Sequence, residues 1–195
     1  MTAPSPRRDA DATRQRLFRA ALDLFTTVGY RGTTTPMLAE RAGIAEGTIY
    51  RHVRSKEALL NEVYRGAQCW ATAAVRELDD RTLGPAERLQ RLGRRFVEAA
   101  GRDPAALRML LLEREERLLD ERSREAAREF RGLLQGIVAS GKSDGVVRAG
   151  PAELWAGVWL AVVGWVGERV AGGEWPPDHP QVTMALDAAW DAIRQ

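Results

Sequence analysis

Apolar residues recur at intervals of three and four along nearly the whole chain, the spacing that places them on one face of an α-helix. The first such face is formed by Leu17, Ala20, Ala21, Leu24, Phe25 and Val28. Gly29 follows these residues as a helix stop. Long alternation between apolar and polar residues, the pattern of a half-buried strand, is missing from the sequence. The pattern predicts an all-α protein of about nine helices without a sheet.

Capping and turn residues divide the next stretch into two short helices. Thr34 or Thr35 is a candidate cap, and Pro36 stands in the first helical turn, where its missing N–H group costs nothing. Gly43 ends this second helix, and a third helix is predicted over residues 45–53.

Longer helices are predicted for the rest of the chain, beginning with a fourth that opens at Ser55 and continues through residue 78. Further on, apolar stretches with helical spacing begin near Pro85, Pro104, Pro151 and Pro177. Breaks rich in glycine or proline separate these stretches at Gly101, at residues 141–145 and at residues 171–180.

One short stretch, GIVASGKS at residues 136–143, matches the phosphate-loop pattern G-x-x-x-x-G-K-[ST]. A phosphate loop needs a buried strand before it and a helix directly after it. Here a segment with helical spacing precedes the match and turn residues follow it, so Gly141 is predicted to stop a long helix. A nucleotide-binding enzyme that uses Lys142 stays open as an alternative.

The chain of 195 residues has room for one sizeable domain, or for a small and a larger domain that share a core. Its one cysteine, Cys69, excludes an intrachain disulfide and a structural metal site built on cysteines. The longest apolar run, residues 154–167, is shorter than the ~20 residues of a membrane helix and predicts a buried core helix. The first residues lack the apolar stretch of a secretory signal, so the cytoplasm is the expected location.

Charge is distributed unevenly along the chain. Residues 1–60 carry ten Arg or Lys and six Asp or Glu, whereas residues 61–195 carry 19 and 21. A basic amino-terminal third joined to a mildly acidic remainder indicates that one end of the protein meets a polyanion, although such a surplus is also common in small domains.

Residues 33–53, TTTPMLAERAGIAEGTIYRHV, combine a short helix, a tight turn at Gly43 and a second short helix. Small residues at Ala39 and Gly43 allow the two helices to cross closely, as in a helix-turn-helix unit. The residues left exposed on the second helix are Glu46, Gly47, Thr48, Tyr50, Arg51 and His52. The hydroxyl and cationic side chains of this face, and its small leading residues, suit contact with a DNA duplex. The alternative interpretation is a solvated helix face in an unrelated helical bundle.

The stretch LFTTVGYRGTTTPMLAERAGIAEGTIYRHVRSKEALL at residues 24–60 closely resembles the amino-terminal domain of TetR-family transcriptional regulators, and the resemblance covers roughly residues 10–62. The matching residues are Phe25, Gly29, Tyr30, Thr33, Thr34, Ala39, Ala42, Gly43, Gly47, Thr48, Tyr50, His52, Lys56, Leu59 and Leu60. Pro36 departs from the family, which more often has a polar or acidic residue there, so a DNA contact from that side chain is in doubt. Beyond about residue 62 the likeness rests on length and helical pattern alone.

The resemblance implies particular roles at the DNA surface. Contacts that position the phosphate backbone are implied for Thr34, Thr48, Tyr50, His52 and Lys56. Base reading is implied for Glu46, Gly47 and Arg51. A carboxylate accepts a hydrogen bond from cytosine, and a glycine lets the backbone approach base edges. His52 has a second interpretation as a core or catalytic histidine, but His179 lies in a Pro-rich loop, so no metal pair or triad is predicted.

Three segments follow from this interpretation: a flexible arm at residues 1–9, a helix-turn-helix domain at residues 10–62, and an effector-binding and dimerisation domain at residues 63–195. Arg7 and Arg8 of the arm are candidates for a minor groove, with a disordered tail as the alternative.

The resemblance implies that the larger domain forms a dimer and encloses an effector pocket. Its predicted dimer interface combines a smooth stripe of small residues with the last helix, through Gly157, Ala161, Gly164, Leu186 and Trp190. The predicted pocket lining is Trp70, Phe96, Met109, Leu112, Trp155, Trp159 and Val162, with polar contacts from Arg108, Glu113 and Glu116. Packing within one chain is the alternative for both sets.

The sequence therefore predicts a homodimeric regulator, most simply a repressor, without enzymatic activity, cofactor, metal or membrane association. Its expected partners are a second copy of itself, a palindromic double-stranded DNA operator with half-sites ~34 Å apart, and a small hydrophobic effector that releases the DNA. A DNA-coating protein without sequence preference and the phosphate-loop enzyme are the alternatives.

Overall fold

A computed structural model describes residues 6–112 and 116–195, and within these ranges the chain is helical almost throughout. A single 3-10 turn covers Glu116–Leu118, and an isolated β-bridge pairs Val147 with Arg194. The α-helices of this described part are α1 (Pro6–Thr27), α2 (Thr35–Ala42), α3 (Glu46–His52), α4 (Lys56–Leu78), α5 (Pro85–Arg102), α6 (Pro104–Leu110), α7 (Glu121–Ser143), α8 (Ala152–Ala171) and α9 (Pro180–Asp191). The all-α prediction is confirmed.

Local capping signals explain most of the helix boundaries. The Thr34 hydroxyl accepts from the backbone N–H of Met37 at the start of α2, and the Ser55 hydroxyl accepts from Ala58 at the start of α4. Pro85 occupies the first position of α5, as predicted for a residue without an N–H group.

Two boundaries differ from the predicted ones. Helix α1 begins at Pro6, so residues 6–9 of the expected flexible arm continue the helix, while residues 1–5 lie outside the described part of the chain. Pro177 lies in the turn before the last helix, which the apolar spacing predicts at about residues 181–193. The last helix, α9, begins at Pro180 because the His179 ring accepts the N–H of Gln181 and caps it.

Helix α4 runs without a break through the predicted domain boundary at residues 62 and 63. Leu59, Leu60 and Val63, on both sides of that boundary, are all buried. The buried residues of α1–α3 and those of α5–α9 belong to one continuous apolar cluster. The two units therefore share a core, and α4 is the helix common to both.

The phosphate-loop match lies in the last turns of α7. Its backbone is regular helix up to Ser143, and the Lys142 ammonium donates to the carbonyl of Gly150, which holds the turn that follows α7. Gly141 is a buried helical residue and not the helix stop. A phosphate loop requires an irregular backbone with converging N–H groups, so the nucleotide-binding alternative is wrong.

Helix α8 is more apolar than the sequence analysis estimated. By length and composition alone its 20 residues, with a mean hydropathy of 1.2, meet the requirement for a membrane-crossing helix, a test that core helices of soluble proteins also pass. In this fold α8 packs against α5, α7 and α9, and 39% of the apolar window is buried. Leu154, Gly157, Ala161 and Trp165 of the helix are exposed.

Two glycines of α7, Gly136 and Gly141 in the phosphate-loop match, test how the end of α7 packs against the turn that follows it and against the start of α5. We expect Gly141→Ala to lower the free energy of unfolding by about 1–3 kcal/mol, because its Cβ would lie 2.7 Å from Val147 Cγ2 and 3.1 Å from the rigid ring of Pro85. Gly136→Ala is the control: its Cβ has nothing within 4 Å, and higher helix propensity should raise stability by up to about 1 kcal/mol. Urea denaturation measures both, and an equal gain from the two substitutions would contradict the packing at Gly141.

Candidate DNA-binding surface and ligand cavity

A tight turn sets the angle between α2 and α3. Gly43 adopts the left-handed backbone conformation (φ 64°, ψ 44°), which residues other than glycine rarely adopt. The N–H of Ile44 then donates to the carbonyl of Ala39 at 3.0 Å, closing the end of α2. Ala39, which the sequence analysis assigns to the close crossing of the two helices, is buried between them together with Ala42 and Ile49. The predicted helix-turn-helix geometry is thus present.

The face of α3 that points away from this core is polar and accessible. Glu46, Gly47, Tyr50 and Arg51 are exposed, while Thr48 and His52 are half-buried beside them. The Tyr50 hydroxyl lies 3.4 Å from the Thr35 hydroxyl at the start of α2. Exposed Thr34 stands one residue earlier, so the predicted contact residues of α3 and Thr34 share one surface.

Lys56 has a structural role that the sequence analysis did not foresee. Its ammonium donates to the carbonyl of Tyr30 at 2.9 Å and to that of Thr33 at 2.8 Å. The same ammonium stands 4.3 Å from the centre of the Tyr30 ring. Lys56 therefore fastens the start of α4 to the loop between α1 and α2; its predicted contact with a DNA phosphate stays a prediction.

A cavity of about 440 Å³ lies between α4, α6, α7 and α8, within the usual range for small-molecule sites. Its apolar and neutral walls are formed by Tyr64, Gln68, Leu110, Leu111, Leu112, Leu119, Ala127, Phe130 and Leu160. Its rim carries Arg124, Arg128 and Arg131 of α7. Of the residues predicted to line the effector pocket, Leu112 lines this cavity.

A larger groove of about 910 Å³ follows the outer face of α8 and joins the cavity through Leu111, Arg131 and Leu160, which line both. Predicted Arg108 lies in this groove, where its guanidinium donates to both oxygens of Glu168. That ion pair raises the pKa of Arg108.

The remaining predicted pocket residues do not line the cavity. Phe96, Met109 and Trp159 are completely packed in the core, because they face neighbouring helices rather than the space beside α7. Trp70 faces a separate cleft against α1, and Trp155 donates to the carbonyl of Ala149.

Three further residues predicted to line the pocket are not seen at the cavity. Val162 is half-buried against the core and lines neither the cavity nor the groove. Glu113 lies outside the described residues, and so does the side chain of Glu116.

Some of the residues predicted for the dimer interface are exposed and others are buried within the chain. Gly157 and Ala161 are exposed on α8, but Gly164 is buried beneath Leu111, whose Cδ1 lies 2.6 Å from where a Cβ would be. Leu186 is buried against Gly93 of its own chain and cannot reach a partner. Trp190 is half-buried.

Comparison with known proteins identifies the group to which this fold belongs. Residues 17–63 match the model of bacterial regulatory proteins of the tetR family. The repressor KstR2 of Rhodococcus jostii is 30% identical over 159 residues, which cover 80% of this chain and 78% of that protein. The chain belongs to the TetR family.

Other relatives agree with this membership. The repressor KstR2 of Mycobacterium tuberculosis is 38% identical over 89 residues, 46% of this chain, and the aligned segment spans only 44% of that protein. Its solved structure, described as that of a ketosteroid transcriptional regulator, has a TM-score of 0.70 at 26% identity and covers 93% of this chain and 95% of that one. A TetR regulator from Marinobacter aquaeolei reaches 0.81 at 19% identity, covering 97% and 99%. These relatives are regulators and not enzymes.

Sequence reasoning missed several residues of this TetR-family protein. The arginine row of α7 has spacings of four and three and was available as a signal, but charged rows usually mark a solvated face. Gln68 and Asn61 are buried polar residues within a helical pattern, and nothing local distinguishes them from exposed ones.

The fastening by Lys56 leads to a stability prediction. Lys56→Met should lower the free energy of unfolding by about 1–3 kcal/mol, because two half-buried carbonyls lose their charged donor. Arg54→Met, which removes an exposed cation from the loop directly before α4, is the control and should change stability little. Urea denaturation followed by circular dichroism measures both, and equal midpoints for wild type and Lys56→Met would contradict the anchoring role.

Proposed function

We propose that this protein is a cytoplasmic, ligand-responsive transcriptional repressor that binds a palindromic operator as a homodimer. The observation that carries the proposal is the polar face of α3, held outward by the turn at Gly43 beside Thr34. Relatives named transcriptional repressors support the same function.

Two kinds of DNA contact fit the exposed side chains. Glu46, Gly47 and Arg51 stand on the accessible face of α3, where carboxylate, backbone and guanidinium groups recognise base edges. The backbone contacts belong to Thr34, Thr48, Tyr50, His52 and Lys56. Lys56 offers one remaining N–H donor for a phosphate after its two carbonyl bonds.

The outer face of α8 is the proposed dimer surface. Around exposed Gly157 and Ala161, Leu154 is 51% and Trp165 is 49% exposed, and Met184 of neighbouring α9 is 67% exposed. Large apolar side chains around small residues suit close helix packing between two subunits. This surface replaces the buried Leu186 and Gly164 of the sequence-based interface.

The cavity beside α7 is the proposed effector site. Its leucine-rich walls and volume fit a hydrophobic molecule of small-drug size. The related regulator from Mycobacterium tuberculosis is named for a ketosteroid, which is one molecule of this kind. That name motivates a hydrophobic polycyclic or linear effector for this protein.

Asn61 of α4 connects the cavity with the DNA-binding unit. It is only 3% exposed, its amide nitrogen donates to the carbonyl of Leu118 at 2.8 Å, and its amide oxygen accepts the N–H of Asp120 at 2.7 Å. Leu119, between these two residues, is a cavity wall. A ligand that displaces Leu119 therefore pulls on α4 through Asn61.

Asp120 strengthens this connection from outside. Burial would raise its pKa, but hydrogen bonds from Ser123 and the neighbouring Arg65 outweigh burial and hold the pKa below its usual value. The carboxylate is thus charged at neutral pH, and Arg65 of α4 pairs with it at 3.1 Å. The effector and the operator would both act on the hydrogen bonds between Asn61 and residues 118–120. Each would therefore change the protein's affinity for the other by the same factor.

Selection from a random duplex library at near-physiological salt tests DNA recognition, because binding to phosphates alone weakens there. We expect an inverted repeat with half-sites ~34 Å apart. Gly157→Arg should yield a monomer by light scattering and lose the paired half-sites, since it adds charge and bulk to the dimer face without an intrachain clash.

Gly132→Arg is the matched control for that variant, because Gly132 is also exposed and helical with nothing within 4 Å of its Cβ. It should behave as wild type. Equal enrichment of all duplexes would instead indicate a DNA-coating protein without sequence preference.

The Asn61 connection predicts an effect of the selected operator on distant amides. Operator binding should slow hydrogen exchange at residues 118–120, because it favours the state in which Asn61 holds this segment. Asn61→Leu should abolish that protection. Arg65→Gln, which removes the outer ion pair and leaves the Asn61 bonds, should retain most of it. Unchanged protection in Asn61→Leu would refute the connection.

A further inference from the structure

The cavity beside α7 combines an apolar interior with a cationic rim. Arg124, Arg128 and Arg131 follow one another at spacings of four and three, which places them on one edge of the helix. Below them the walls are formed by buried apolar groups, including Leu110, Leu119 and Phe130. The interior of the cavity is thus suited to an apolar ligand group, and its rim is suited to a negatively charged one.

The charge of the rim is only partly balanced by the described residues. Glu121 lies 2.6 Å from Arg128 and 3.7 Å from Arg124, and these arginines hold its pKa below the usual value. The Arg131 guanidinium donates to the carbonyl of Ala127 at 3.3 Å. Among the described residues that line the cavity there is no carboxylate, and among all described residues Glu121 is the carboxylate that pairs with Arg124 and Arg128.

We infer that the effector of this cavity is an amphipathic anion, with its apolar body between α4 and α7 and a carboxylate or phosphate group at Arg124, Arg128 and Arg131. Guanidinium groups bind both kinds of anion through paired N–H donors, whereas the leucine-rich walls retain the body. The inference depends on the proposed function only in taking this cavity as the effector site.

Arg131 indicates where the anionic group lies. It lines both the cavity and the groove along α8, so it stands at the opening between them. Exposed Arg128 lines the cavity but not the groove along α8, so an anion between Arg131 and Arg128 keeps contact with water even where a second subunit covers that groove, which avoids the cost of burying a full charge. A cationic amphiphile would bring like charges together at the same place.

Calorimetric titration with three probes of equal chain length tests the charge preference: decanoate, 1-decanol and decyltrimethylammonium. We expect decanoate to bind roughly tenfold more tightly than decanol, since charged hydrogen bonds at an exposed rim are strong but screened. The cationic probe should bind most weakly. Cholate and its methyl ester repeat the comparison with a polycyclic body.

Arg124→Gln/Arg128→Gln/Arg131→Gln should bring decanoate to the affinity of decanol and leave decanol unchanged. Arg91→Gln/Arg94→Gln/Arg122→Gln is the matched control, because it removes the same charge from surface positions outside the cavity. Raising salt from about 0.05 to about 0.5 M should weaken binding of decanoate alone.

The outcomes separate this inference from the proposed function. Equal binding of decanoate and decanol would overturn the anion preference, since the chain's own carboxylates would then neutralise the rim, but it would leave the cavity as a ligand site. Failure of both decanoate and cholate to bind would overturn the anion site, and sequence-specific DNA binding, measured separately, would stand or fall alone.

Discussion

The shared burial of α4 is the constraint on which the rest of the structure depends. Its buried residues run from Leu59 to Val75, so the helix completes the core of α1–α3 at one end and packs against α5, α6 and α7 at the other. A helix of 23 residues is a stiff rod of about 34 Å. Because no linker separates the two units, the position of α3 is tied to the packing of α5–α9.

Directional polar contacts fix α4 more narrowly than apolar packing does. Lys56 binds the loop between α1 and α2, and five residues later Asn61 binds the segment before α7. Apolar surfaces slide with little penalty, whereas a buried amide must keep its partners or lose its hydrogen bonds without compensation by water. These two residues therefore define a discrete position for α4, which is what a two-state regulator requires.

The fold and the helix-turn-helix unit could be predicted because their signals are local. Caps at Thr34 and Ser55, the turn at Gly43 and the apolar spacing of each helix act within a few residues. The cavity could not be predicted in the same way. Apolar spacing assigns Phe96 and Trp159 to an inner face, but whether that face meets a helix or a space depends on the distances between helices. The same limit explains Leu186, which is as apolar as an interface residue and faces its own chain.

The position of Glu121 relates the two ends of this arrangement. It begins α7 directly after Asp120, whose carboxylate caps the helix through the N–H of Ser123 at 2.8 Å. An anion at the rim competes with Glu121 for Arg124 and Arg128, and the displaced glutamate then lies unpaired beside a second carboxylate. Repulsion between the two weakens the first turn of α7, which is where Asp120 also donates its N–H to Asn61. In the effector complex that we propose, the charge of the ligand would act on the same hydrogen bond that displacement of Leu119 would strain, so both parts of an amphipathic anion would favour the release of α4.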